Sequence, residues 1–145
     1  MSVLVTGSTG FLGTAVVERL LAHGERQIRC FVRPNSDRSR LEDVKRRYGT
    51  ADFECVVGNL NSAKDAARAV DGVEVIYHLA GEMRGLASTI FQDTVVASSR
   101  LLSALSQERP PLVVLISSMS VYGFAALHEG AVITEGVALE RHPER

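Results

Sequence analysis

The strongest constraint on this chain lies near its start. The apolar run Val3-Leu4-Val5 leads into Thr6-Gly7-Ser8-Thr9-Gly10-Phe11-Leu12-Gly13. Gly7, Gly10 and Gly13 stand three apart, and Leu12, Val16 and Leu20 then repeat with helical spacing until Gly24. A short apolar run stopped by glycine reads as a buried strand, and the spacing after it reads as an amphipathic helix. Gly7 supplies the freedom of a tight turn, Gly10 allows close approach to the main chain, and Gly13 lets the helix pack on the strand. The helix start then offers N–H groups and the positive end of its dipole to an anion, and a diphosphate suits this pattern.

The alternation continues along the chain. Strands are expected over 3–6, 27–32, 53–57, 73–79 and 112–116. Helices are expected over 11–23, 40–48, 63–70 and 88–108. Leu41, Val44 and Tyr48 would be the apolar positions of the second helix, Ser62 caps the third, and Pro110-Pro111 stops the fourth. Ile90, Val95, Leu101 and Leu105 would be among the apolar positions of that long helix. Strands alternating with helices pair in parallel through crossovers, and nearly continuous apolar strands mean that both sheet faces are covered. The expectation is an α/β, doubly wound parallel sheet of strand order 3-2-1-4-5. Residues 1–145 are read as a single dinucleotide-binding domain whose last stretch, 124–145, lacks periodicity and is expected to be loop.

Composition removes several function classes. With 16 basic against 17 acidic residues, the net charge of −1 gives no support for nucleic-acid binding. No apolar run approaches the roughly 18 residues of a membrane span, and no basic region precedes Val3 as in a signal peptide. Cys30 and Cys55 sit in apolar runs and read as buried thiols of a reduced compartment, so a cytoplasmic protein is expected. His23, His78, His128 and His142 show no metal-ligand spacing, and His78 is expected to be a hydrogen-bonded core histidine. Neither Gly-x-Ser-x-Gly nor a Gly-x-x-x-x-Gly-Lys loop occurs. Lys45-Arg46-Arg47 reads as a solvated helix face.

Four segments in order carry a family resemblance: Thr-Gly-x-x-Gly-x-x-Gly at the start, Gly58-Asn59-Leu60, the run from Asp71 to Gly81, and Ile116-Ser117-Ser118-Met119-Ser120-Val121-Tyr122-Gly123. Together they resemble the extended short-chain dehydrogenase/reductase superfamily, in its NAD(P)-dependent epimerase/dehydratase branch. The resemblance implies that Gly7, Thr9, Gly10, Phe11, Leu12 and Gly13 line the pyrophosphate. It puts Asn59 and Leu60 beside the adenine, and Leu79, Ala80 and Gly81 under the adenosine ribose. Asn59 departs from the usual Asp, but its amide oxygen still accepts a hydrogen bond.

Arg33 stands at the end of the second strand, where NAD enzymes usually carry an acidic residue for the ribose 2′-hydroxyl. A guanidinium there pairs with a 2′-phosphate, and Ser36 and Arg38 follow in the loop. NADP is therefore expected, with NAD as the alternative.

The resemblance also implies a Ser, a Tyr and a Lys for hydride transfer. Ser118 matches the first. Tyr48, Tyr77 and Tyr122 are followed four residues later by Asp52, Gly81 and Ala126, and the two lysines, Lys45 and Lys64, both precede Ser118. The long helix carries Asp93-Thr94-Val95-Val96 where the family often has an Asn. The implied function is the cofactor-binding part of a longer reductase, epimerase or dehydratase acting on a carbonyl compound or sugar nucleotide. The alternative is a non-catalytic NADP-binding or redox-sensing module. The fifth strand, left as an apolar sheet edge, is expected to promote self-association.

Overall fold

The computed structural model describes residues 1–49, 53–123 and 127–141, which fall into two units, Met1–Leu115 and Ile116–Arg145. In the first unit five parallel strands form one sheet of order β3-β2-β1-β4-β5, as expected. They are β1 (Ser2–Thr6), β2 (Gln27–Val32), β3 (Phe53–Val57), β4 (Val75–His78) and β5 (Leu112–Leu115). The central strand β1 is fully buried from Val3 to Thr6 and pairs with β2 on one side and β4 on the other.

Alternation along the strands divides the core between two faces. Val3, Val5, Ile28, Cys30 and Val32 pack with Val17 and Leu21 of α1 (Phe11–Ala22) and with Leu41 and Val44 of α2 (Ser39–Tyr48). Leu4, Phe31 and Ile76 face the other way, against Ala66 and Ala69 of α3 (Ala63–Val70) and Ala97 and Leu101 further along. Covering both faces explains why the strands are apolar over most of their length, with Arg29 and Glu54 as exceptions that pair with each other across β2 and β3. Cys30 is buried and Cys55, its register partner on β3, is half-buried; burial pushes both thiols upward from their ordinary range.

The face that α1 buries is turned by one residue from the expected one. Of the stripe read from sequence, Val16 and Leu20 are partly buried and pack against the core and Leu12 is exposed, while the buried positions are Gly13, Thr14, Val17 and Leu21. A Cβ on Gly13 would overlap the Gly7 carbonyl oxygen and lie 2.8 Å from Ser8 Cα. Contact with that backbone sets the rotation of the helix by one residue, leaving Phe11 and Leu12 outside. On α2, Leu41 and Val44 are buried as expected, but Tyr48 is exposed.

The long helix also differs. It begins as α4 (Ala87–Ile90), continues as a π-helical segment (Phe91–Val96) and ends as α5 (Ala97–Ser103), short of the expected 108. Beyond Ser103 the chain tightens into a turn, with Leu105 N–H on the Leu102 carbonyl at 3.2 Å, Leu105 packed against the core and Ser106 Oγ accepting the Arg109 N–H. Leu101 is fully buried, Ile90 and Leu105 partly so, whereas Val95 faces out. No helix among the described residues is long and apolar enough to cross a membrane.

One polar chain threads the core. Thr6 Oγ1 accepts the N–H groups of Leu79 and Ala80, each at 3.2 Å, so its own proton points to His78 Nδ1 at 2.7 Å. His78 Nε2–H then donates to Ser98 Oγ at 2.8 Å, and Ser98 donates to the Thr94 carbonyl at 2.5 Å. This pattern requires the neutral imidazole protonated at Nε2. His78 is thus a hydrogen-bonded core histidine, 2% exposed, and burial pushes its pKa below the usual 6.5.

The second unit contains a 3-10 turn over Met119–Val121 and a single antiparallel bridge between Tyr122 and Leu139. Of the stretch expected to be loop, 127–141 carry no helix or strand; 124–126 and 142–145, with Ala126 and His142, lie outside the described residues, as does Asp52.

Two predictions follow from this packing. Gly13→Ala brings a gain in helix propensity of about 1 kcal/mol, but its methyl group meets backbone that cannot yield, a cost of about 1–3 kcal/mol. Urea denaturation should show net destabilisation, and an unchanged midpoint would mean that α1 sits further from the turn. For His78 the unfolded chain takes up a proton near pH 6.5 and the folded chain only at lower pH, so unfolding binds protons. The stability contribution is present above pH 6.5 and is lost as the pH falls towards the depressed folded value. Thermal melts of the wild type should weaken across that window, and His78→Asn should flatten the slope.

Candidate functional site

The site grows from the turn between β1 and α1. Gly7 has φ +65° and packs so closely that a Cβ would lie 2.7 Å from the Leu79 carbonyl carbon and 2.8 Å from the Ala80 nitrogen. Gly10 N–H closes the turn on the Gly7 carbonyl at 3.0 Å. Two buried hydroxyls brace it: Ser8 Oγ donates to the Phe31 carbonyl at 3.2 Å, and Thr14 Oγ1 lies 2.9 and 3.0 Å from the carbonyls of Gly10 and Ser8. Sequence reasoning missed these braces: Ser8 reads as one more turn residue, and the only signal for Thr14 is a hydroxyl among apolar helix positions. Gly10 is the N-cap of α1, with no side-chain capping bond and no acidic residue in the first turn. The helix dipole there is open to an external anion.

Beside the turn lies a cleft at the C-terminal ends of the strands. It is lined by Gly7, Thr9 and Gly10, by Phe31, Arg33 and Ser36 at and after the end of β2, and by Asn59 and Leu60 after β3. Leu79, Ala80 and Gly81 after β4 complete it, with Asp93 and Ala97 from the helix opposite. Gly7, Thr9, Gly10, Arg33, Asn59, Leu60, Leu79, Ala80 and Gly81 were all expected at one site, and the fold brings them to one cleft. Gly13 lies buried beneath the turn; Phe11 and Leu12 are exposed at the helix start and do not line the cleft. The Phe11 ring sits 5.8 Å from the Arg40 guanidinium carbon.

A polar chain crosses one end of the cleft. Arg33 Nη1 stands 3.3 Å from Asp93 Oδ2, and the other Asp93 oxygen accepts from Asn61 Nδ2 at 2.9 Å. Asn61 N–H donates to Asn59 Oδ1 at 2.9 Å, and Asn59 N–H donates to Asp65 Oδ2 at 3.0 Å. Asn59 Oδ1 therefore has one of its two acceptor positions engaged. Asp93 was noticed in the sequence only as a neighbour of Thr94. Its place in the cleft depends on the π-helical segment, a feature often found at functional sites.

Thr94 pins the loop after β4. Its Oγ1 accepts the Glu82 N–H at 2.9 Å and lies 3.2 Å from the Glu82 carbonyl, to which it donates. Glu82 Oε1 in turn accepts from the N–H groups of Met83 and Arg84. Ser118 belongs to the second unit. It caps the 3-10 turn there, its exposed Oγ accepting from Ser120 N–H at 3.2 Å and from Ser120 Oγ at 2.8 Å.

The donor set fits a dinucleotide. The glycine turn leaves main chain open to phosphate, Gly81 leaves room above the sheet (a Cβ there would meet only Thr94 side-chain atoms, at 3.7–3.8 Å), and polar groups from three loops converge beyond.

Comparison with known proteins agrees with this geometry. The model of the NAD dependent epimerase/dehydratase family matches residues 3–138. Sterol demethylase protein B of Methylococcus capsulatus is 34% identical over 128 residues, which are 85% of this chain and 36% of that protein. A Bacillus subtilis protein named as an uncharacterized UDP-glucose epimerase, YtcB, is 32% identical over 133 residues, 85% of this chain and 42% of its own length. Among solved structures, a short-chain dehydrogenase/reductase superfamily protein from Agrobacterium tumefaciens with bound NAD superposes with a TM-score of 0.71 at 32% identity, covering 96% of this chain and 39% of that one. The chain thus spans roughly two fifths of the length of the curated relatives it matches. A glycine turn against a parallel sheet, a cleft at the strand ends and a matching family model over nearly the whole sequence place this chain in the NAD dependent epimerase/dehydratase family.

Proposed function

We propose that the chain is the cofactor-binding part of a reductase, epimerase or dehydratase that takes NADP in preference to NAD. The observation that carries the reading is the single cleft in which the Gly7–Gly10 turn, Arg33, Asn59 and the Leu79–Gly81 segment meet. The pyrophosphate would lie on the turn and the first N–H groups of α1. The adenosine would lie between Leu60 and Ala80, with Asn59 offering its remaining acceptor position to the adenine amine. Arg33, whose side chain is 61% exposed, would take the 2′-phosphate. Bound there, the nicotinamide would supply or receive a hydride.

Ser118 would orient the substrate oxygen, for which a carbonyl compound or a sugar nucleotide is the proposed class. The relatives named above refer in their names to a sterol and to UDP-glucose. No tyrosine in this sequence is followed four residues later by lysine. A lost general acid alone slows such chemistry by about 10²–10⁴-fold, so the chain by itself is expected to bind without turning over. Cytoplasmic residence and self-association are part of the proposal. Leu112 and Leu115, 65% and 58% exposed on the edge strand β5, would supply an adhesive surface.

Calorimetric titration of the folded chain with NADP+ and NAD+ tests the cofactor reading. Both should bind, NADP+ more tightly, and Arg33→Gln should weaken NADP+ while leaving NAD+ nearly unchanged. Failure of both to bind at millimolar concentration would refute it. Sedimentation velocity over a concentration series checks the edge: association should grow with concentration and decline in Leu112→Lys.

A further inference from the structure

The proposed 2′-phosphate site contains an acidic side chain that the cofactor reading does not use. Asp93 lines the same cleft as Arg33, and its carboxylate is the partner of the guanidinium, Nη1 to Oδ2 at 3.3 Å. The contact is longer than the 2.7–2.9 Å of a strong charge-assisted bond, so Arg33 is held but not saturated. Asp93 is itself held: its second oxygen accepts from Asn61 Nδ2 at 2.9 Å, and Asn61 is tied by its own N–H to Asn59. Asn61 Oδ1 is buried with no partner among the described residues. Turning that amide over would set a carbonyl oxygen against the carboxylate, so the amide is committed to Asp93 and keeps the charge facing the cleft.

We propose that Asp93 is a specificity-determining residue whose carboxylate competes with a ribose 2′-phosphate for the Arg33 guanidinium. The inference rests on the cofactor reading above. A dinucleotide with a free 2′-hydroxyl leaves the Arg33–Asp93 pair intact, because a neutral hydroxyl does not displace a carboxylate. A 2′-phosphate must draw Arg33 away from Asp93 and tolerate the remaining negative charge nearby. Asp93 thereby reduces the selectivity that Arg33 confers and keeps the site open to both dinucleotides.

The test is the ratio of NADP+ to NAD+ affinity, measured by calorimetry on the full chain for wild type, Asp93→Asn, Arg33→Gln and the double variant. Asp93→Asn is isosteric and keeps an acceptor for Asn61; Asp93→Ser is the second variant should the first melt early. Removing the competitor should raise the ratio roughly two- to fivefold, the range for one partly exposed ion pair, while NAD+ affinity stays within about twofold. In the Arg33→Gln background the same change should have little effect. A ratio unmoved by Asp93→Asn, with both dinucleotides still bound, overturns the inference and leaves the cofactor reading standing. An equal rise with and without Arg33 also overturns it, because it would show direct repulsion of phosphate instead of competition for the guanidinium. If the folded wild type binds neither dinucleotide, both the inference and the reading beneath it fail.

Discussion

Three pieces of backbone meet around Gly7, and the rest of the structure depends on how closely they approach. The turn after β1 rests against the Leu79 carbonyl on one side and receives α1 at Gly13 on the other. A single added methyl group at either glycine would strike main chain, which cannot rotate away as a side chain can. This contact fixes the rotation of α1, the depth of the turn below the cleft and the position of the helix start. The helix dipole is useful to a diphosphate only because the backbone carries it to the end of the sheet.

Thr6 extends the same unit across the sheet. Its hydroxyl grips the N–H groups of Leu79 and Ala80 and hands its proton to His78, which reaches Ser98 on α5. The floor of the cleft, the strand beneath it and the helix beside it are therefore joined by hydrogen bonds in a dry interior, where each is worth more than at the surface. Charged groups, by contrast, stay near the solvent-facing end. Arg33 and Asp93 face each other where neither is fully desolvated, which lets their pairing be exchanged for another ligand at modest energetic cost.

Much of the architecture was legible from residue order. Strand positions and parallel pairing followed from apolar runs alternating with helical spacing, because a parallel sheet buried on both faces leaves that signature, and the strand order came with the dinucleotide-binding glycine pattern. Legibility ended where tertiary contact overrides periodicity. Leu12, Val16 and Leu20 make a good apolar stripe, yet Val16 and Leu20 are only partly buried and Leu12 is exposed, because the backbone contact at Gly13 turns the helix towards Val17 and Leu21. The long helix ends at Ser103, ahead of the prolines that were read as its stop, and Leu105 just past that end packs against the core. The π-helical segment leaves no pattern a single sequence can reveal, and Asp93 went unnoticed as a cleft residue with it.

The sequence by itself determined the class of fold and most of the cleft. Glycine spacing and apolar runs are local facts, and they fix the turn after β1 and the parallel pairing of buried strands. Tertiary structure alone decided which charges meet. Arg33 and Asp93 are sixty residues apart, and their pairing depends on helix phase, on the local widening of one helical turn and on an asparagine tied to a third loop. Local patterns carry no record of such long-range encounters, because the contact energy belongs to a geometry that exists only once the sheet has closed.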